Sequence, residues 1–265
     1  MEPEQRPLKT LERVLSKAGI CSRTDARSLI GAGRVAVNSK VIENPDHWVD
    51  MERDEVWLDG HPLEAQDPVY ILLYKPTGYL TTADDPEGRP TVYDLIKDLG
   101  GWVVPVGRLD LDTSGLLILT NDTQFADRVM SPEGKVPKTY LVKAGSHLSD
   151  ADLQKLRDGV ELSDGPTLPA EVKRVRDNAS STFLEITIVE GRNRQVRRML
   201  EAVGSRVRKL VRIAIGPVQI GDLTMGTWRE LTVSELRGIG GKGVQVSMKQ
   251  PPKPKKKDRW RRRPF

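Results

Sequence analysis

Residues 106–121 read VGRLDLDTSGLLILTN and place Arg108, Asp110, Asp112, Thr113 and Ser114 within seven positions. Apolar residues flank this polar stretch, so one strand should feed into a loop and a second strand should leave it. Loops held by a rigid scaffold are where reactive side chains concentrate. An ionised carboxylate there can act as a nucleophile or a base, and a neighbouring guanidinium favours its charged form. The same residues serve turns equally well, since aspartate and glycine shape loops through local hydrogen bonds and backbone freedom. By themselves Tyr140 reads as a strand-face core tyrosine, and Arg197 with Arg198 as a solvated helix face.

Other chemistries find little support in the sequence. Cys21 is the single cysteine, and His47, His61 and His147 lie far apart. Neither a disulfide nor a metal-ligand spacing can be read from them, and a lone thiol suits a reducing compartment. Positions 1–10 are polar with two glutamates, unlike the basic start and apolar core of a secretory signal. No stretch approaches a membrane span. The expectation is a cytoplasmic, monomeric protein without metal or organic cofactor.

The net charge of +5 is unevenly placed. Residues 247–265 carry nine Lys/Arg and one acid, a net +8, which leaves −3 for the remainder. Within that remainder, residues 172–212 hold eleven Lys/Arg against four acids. A basic block and a basic tail suit a polyanion such as RNA. The tail should add salt-sensitive, largely nonspecific affinity.

Three segments must position these groups. In residues 8–62, Leu11, Val14, Leu15 and Ala18 mark one helix face, Ser22 with Asp25 forms a capping pattern, and a second helix stops near Gly31 and Gly33. Short strands follow at 35–37, 41–42 and 55–58, with Asp59-Gly60 as a hairpin signal. Arg13 and Lys17 share one helix face, Arg23 and Arg27 another, and Arg34 follows, a compact basic patch able to grip phosphates. Residues 61–67 read as a linker. Residues 69–238 alternate strands (70–74, 103–106, 116–120, 139–143, 171–175, 182–189) with helices (92–99, 124–130, 150–157, 194–203). Adjacent strands without intervening helices predict an α+β fold with a mixed, mostly antiparallel sheet. Residues 240–265 form the basic tail, expected to be disordered alone. Trp48, Trp57, Trp102 and Trp228 read as packing residues.

GRLDLDTSGLL at 107–117 resembles the signature of pseudouridine synthases of the RsuA/RluB type. LERVLSKAGICSRTDARSLIGAGRVAVN at 11–38 resembles the small alpha-L RNA-binding domain those enzymes share with a ribosomal protein. LLYKPTGYLTT at 72–82, DPEGRPTVYDL at 85–95 and EGRNRQVRRMLEAVG at 190–204 follow in the family's order. The resemblance implies a uridine-to-pseudouridine isomerase acting on a stem-loop of ribosomal RNA, most often of the large subunit. It makes Asp110 the nucleophile, attacking either the uracil ring or the anomeric carbon. It makes Tyr140 the platform on which the base stacks and Arg197 the cation paired with the aspartate. Arg108 would hold the extruded nucleotide, with Gln195, Leu116 and Leu200 near the substrate. The alternatives are a non-catalytic RNA-binding assembly factor, a small-subunit target, and a metal-dependent nuclease built on Asp110 and Asp112.

Overall fold

The computed structural model describes residues 8–64 and 66–240. The basic tail lies outside them, and so does most of the segment expected from 240 onward.

The N-terminal part is built from β1 (Leu8–Thr10), α1 (Leu11–Lys17), α2 (Arg23–Gly31), β2 (Val35–Val37), β3 (Lys40–Val41), β4 (Trp48–Asp50), β5 (Val56–Leu58) and β6 (His61–Pro62). Leu11, Val14 and Leu15 of α1 and Ala26 and Ile30 of α2 meet Val35, Val37 and Val49 in one core. The amide of Asp25 donates to the Ser22 side chain at 3.1 Å and starts α2 as the capping pattern predicts. Asp59 and Gly60, at φ 51° and 79°, close the β5–β6 hairpin. That hairpin takes in His61 and Pro62, so the linker is shorter than its composition suggests. Trp48 is also corrected: it stands 61% exposed on β4 and is not a packing residue.

The larger part contains β7 (Tyr70–Lys75), β8 (Val104–Pro105), β9 (Ser114–Thr120), α3 (Thr123–Met130), β10 (Lys138–Ala144), α4 (Asp150–Asp158), β11 (Glu161–Leu162), β12 (Gly165–Pro166), β13 (Glu171–Asn178), β14 (Ser181–Ile188), α5 (Gln195–Ala202), β15 (Val207–Ile215), β16 (Val218–Gln219), β17 (Trp228–Glu230) and α6 (Val233–Gly240). One sheet runs β13-β14-β10-β15-β9-β7-β17, with β8 on β9 and β16 on β15. Its pairs are antiparallel except β15 with β9. β9 is buried along its whole length, which is why SGLLILT reads as a continuous apolar run and not an alternation. One of its faces packs with α3 and α6 through Leu116, Ile118, Phe125, Val129 and Leu236. The other carries Leu117 and Leu119 under Val92, Ile96, Val103 and Leu109. A third cluster joins β10, β14 and β15 to α4 and α5.

The helix expected at 92–99 is a single 3₁₀ turn, Val92–Leu95. Thr91 and Asp94 cap it reciprocally, and Tyr93 donates to the Val103 carbonyl at 2.9 Å. Ile96 then turns into the core, so packing as a lid outweighs helical propensity. Helix α6 was not anticipated. Asn121 ties the connector to the larger part: its amide nitrogen donates to Asp67 O at 2.9 Å and its oxygen accepts from Val69 N at 2.8 Å.

Candidate active site

A cleft of about 860 Å³ opens between the 106–113 loop, β10 and the turn leading into α5. Arg108, Asp110, Tyr140, Arg194, Gln195 and Arg212 are among its lining residues. Tyr140 and Arg212 are direct cross-strand partners on β10 and β15, so they share one face of the sheet.

Lys75, the last residue of β7, organises the loop that bears Asp110. The side chain is fully buried, and its ammonium donates to the carbonyls of Pro76 (3.1 Å), Asp110 (3.0 Å) and Thr113 (2.8 Å). Burial lowers this amine to about 8, while Asp110 and Asp112 pull it back up. Thr81 adds a second tie by donating to Leu109 O at 2.8 Å. Gly115 completes the support. At φ 119° it lets β15 come so close that an added Cβ would lie 2.2 Å from Arg212 O.

The opposite wall is the turn 190–195. Arg194 caps α5 in a left-handed conformation, φ 48°, which is costly for a non-glycine residue and directs the chain toward the loop. Its Nη1 lies 3.7 Å from Asp110 Oδ2 and 3.3 Å from Asp112 Oδ1. Arg197 is 9% exposed at its side chain and reaches Asp112 Oδ2 at 3.0 Å, Asp112 O at 3.1 Å and Thr113 Oγ1 at 3.2 Å. The expected Asp110–Arg197 pair is therefore replaced: Arg197 holds Asp112, and the guanidinium nearest Asp110 belongs to Arg194. The two carboxylates are two residues apart in a turn, and α5 presents Arg197 to the second one. Glu190 is occupied by Arg192, by the Leu168 amide and by the Gln195 amide group. Gln195 itself accepts from Arg192 N at 3.1 Å, so it shapes the wall.

Asp110, Tyr140, Arg108 and Gln195 thus gather at one cleft. Leu116 and Leu200 do not line it. Both are fully buried, Leu116 against α3 and Leu200 in the cluster of α4 and α5, because their strand and helix positions face those cores. The N-terminal patch is corrected in its charge balance. Arg23 and Arg27 both pair with the buried Glu12, Arg27 also with Asp46, and Arg34 with Asp59. The two guanidiniums, Arg23 first, hold the Glu12 carboxyl below its ordinary range. Arg13 and Lys17 stand exposed. Sequence reasoning missed Lys75, Lys138, Arg194 and Arg212. Lys75 carried a usable signal, a lysine closing an otherwise apolar strand. Among the described residues no His, Cys, Asp and Glu side chains gather in threes able to hold a metal ion, and no helix is long and apolar enough to cross a membrane.

Comparison with known proteins agrees with this architecture. Residues 69–202 match the family model described as RNA pseudouridylate synthase, and residues 10–56 match the S4 domain. The chain is 45% identical over 227 residues to a protein of Aquifex aeolicus (strain VF5) named uncharacterized RNA pseudouridine synthase, covering 85% of this chain and 91% of that one. It is 40% identical over 234 residues to ribosomal large subunit pseudouridine synthase B of Bacillus subtilis (strain 168), covering 88% and 96%. A crystal structure of a pseudouridylate synthase superposes with a TM-score of 0.64 at 31% identity, covering 87% of this chain and 99% of that chain.

Proposed function

The chain belongs to the RNA pseudouridylate synthase family and carries an S4 RNA-binding domain, and from that premise we propose that it isomerises a uridine of large-subunit ribosomal RNA with Asp110 as nucleophile. The observation that carries the assignment is the state of the acids at the cleft. Asp112 is engaged by two arginines and Glu190 by three donors. Asp110 keeps a carboxylate that is 34% exposed; among the described residues its one ion pair is the 3.7 Å approach of Arg194, and the buried Lys75 ammonium adds a charge attraction from behind the loop. An ionised oxygen without short hydrogen bonds is free to attack.

In this reading the S4 domain recruits structured RNA, and the target nucleotide leaves its stack at a cost of a few kcal/mol that protein contacts offset. Arg108, exposed at the rim, holds the extruded nucleotide. Tyr140 stacks on the base, a contact that tolerates rotation of the ring. Asp110 attacks the uracil ring or the anomeric carbon, and the N1–C1′ bond breaks. The base turns, C5 bonds to C1′ as the bond to Asp110 breaks and its carboxylate is released, the C5 proton leaves and N1 gains one. Arg197 acts through Asp112, keeping the loop in place. Substrate and product are isomers, so the stoichiometry requires no cofactor. The large-subunit target is supported by the names of relatives that match along most of both chains.

The test is tritium release from C5-labelled uridine in ribosomal RNA by wild type and Asp110→Asn, followed by mapping of the product. The variant should lose at least about a thousandfold in rate. Equal release by both would overturn the nucleophile, and pseudouridine found only in small-subunit RNA would overturn the target.

A further inference from the structure

The floor of the cleft holds a cation that the reaction as described does not use. Arg212 is 5% exposed, and its Nε donates to Leu116 O at 2.8 Å. Its Nη2 is buried and has no hydrogen-bond partner among the described residues. Lys138 lies two residues before Tyr140 on β10, so it shares the strand face of Tyr140 and also borders the cleft. Burial, and then the charge of Arg212, hold the Lys138 amine below its ordinary range. An orphaned donor on a buried guanidinium is expensive, and such groups call for a functional explanation. Here the missing acceptor has a natural source, because Arg212 borders the cleft and a base seated against it can bring an oxygen to this nitrogen.

We propose that Arg212 reads the base: its Nη2 donates to the C4 carbonyl oxygen of the extruded uracil, with Lys138 beside it excluding bases that present an amino group there. This rests on the uridine reading above. Neither a guanidinium nor an ammonium can accept a hydrogen bond, so the C4 amino group of cytosine meets donor against donor. Sites built to pair a polar group reject the analogue that lacks it far more strongly than sites that measure shape. A phosphate fits less well, since a sealed nitrogen suits a small planar acceptor better than a bulky solvated anion. The geometry also selects C4 over C2. The sugar hangs from N1, next to C2, and must stay near the rim where Arg108 is exposed, so the remote carbonyl points inward. Turning the detached ring about its N3–C6 line exchanges N1 with C5 and one carbonyl with the other. The guanidinium then finds an oxygen in the same place before and after the turn.

The experiment uses the full chain and a ribosomal RNA stem-loop that wild type modifies. The target position carries uridine, 4-thiouridine or 2-thiouridine, each labelled at C5, and kcat/KM is read from tritium release. Sulfur is a poor acceptor, so wild type should lose roughly 10- to 100-fold on 4-thiouridine, the range for a hydrogen bond to a charged donor. It should lose much less on 2-thiouridine, whose sulfur meets the guanidinium only after the turn. Arg212→Met should be slow on uridine and show little further loss on 4-thiouridine. If Arg212→Met does not fold, Arg212→Lys takes its place and should narrow the same ratio. Wild-type indifference to the 4-thio change, or an unchanged ratio in the variant, overturns the proposal. Failure of wild type on plain uridine would instead overturn the uridine reading.

Discussion

Replacing Gly115 with alanine should damage stability and activity together, and the size can be worked from the backbone. The new Cβ would sit 2.2 Å from Arg212 O, 2.5 Å from Arg212 N and 2.9 Å from Arg212 C, where ordinary contacts begin near 3.4 Å. All three atoms are backbone, so no side chain can swing away. β15 must retreat from β9 by about 1 Å, at an overpacking cost of about 1–3 kcal/mol. The φ of 119° adds about 1–3 kcal/mol for a residue with a Cβ. A combined loss of about 4 kcal/mol corresponds to a fall in Tm of roughly 8–16 °C for a chain of this size. The same retreat moves Arg212 against the Asp110 loop, and a misplacement of about 1 Å costs on the order of a hundredfold in rate. Thermal unfolding followed by circular dichroism, with tritium release in parallel, measures both. Gly31→Ala is the control. It closes α2 with nothing within 4 Å of the new methyl, and it should stabilise by about 0.5–1 kcal/mol. A Gly115→Ala protein that melts within about 2 °C of wild type would refute the close-approach argument.

Two further outcomes follow from the buried cations. The Lys75 amine titrates near 8 in the folded chain against an ordinary 10.5, so between those values the unfolded chain binds the proton and the folded one does not, and stability rises with pH across the window. The stability difference between wild type and Lys75→Met, from urea titrations, should therefore shift by about 2 kcal/mol in favour of wild type from pH 8 to pH 10, and a pH-independent difference contradicts it. Arg197→Met strips Asp112 and Thr113 of a buried donor and should cost about 2–3 kcal/mol while lowering kcat more than it raises KM. A variant that alters KM alone would place Arg197 in RNA binding.

Much was legible in the residues. Periodicity located α1, α2, α3, α4 and α5, because each buries one stripe of side chains against a sheet or a neighbouring helix. The run of adjacent strands predicted the mixed antiparallel sheet. The loop at 106–113 stood out through its density of polar groups between apolar strands. The failures share a cause. The 3₁₀ turn at Val92–Leu95 departs from local propensity because Ile96 is drawn under the lid. The partner of Asp110 was misassigned because which carboxylate of a turn meets a distant helix depends on the orientation of both elements.

The sequence by itself determined the inventory: an α+β chain, a basic RNA-facing character, and an acid-bearing loop framed by strands. Hydrophobic period and residue chemistry are local properties, and neighbouring residues suffice to express them. Only the tertiary structure decided which charges meet. It set Lys75 beneath the loop, gave Asp112 to Arg197, left Asp110 with the long approach of Arg194 and stranded the outer nitrogen of Arg212. Those outcomes depend on ångström distances between segments some 35–96 residues apart, and Coulombic and hydrogen-bond energies change over such distances while the sequence pattern does not.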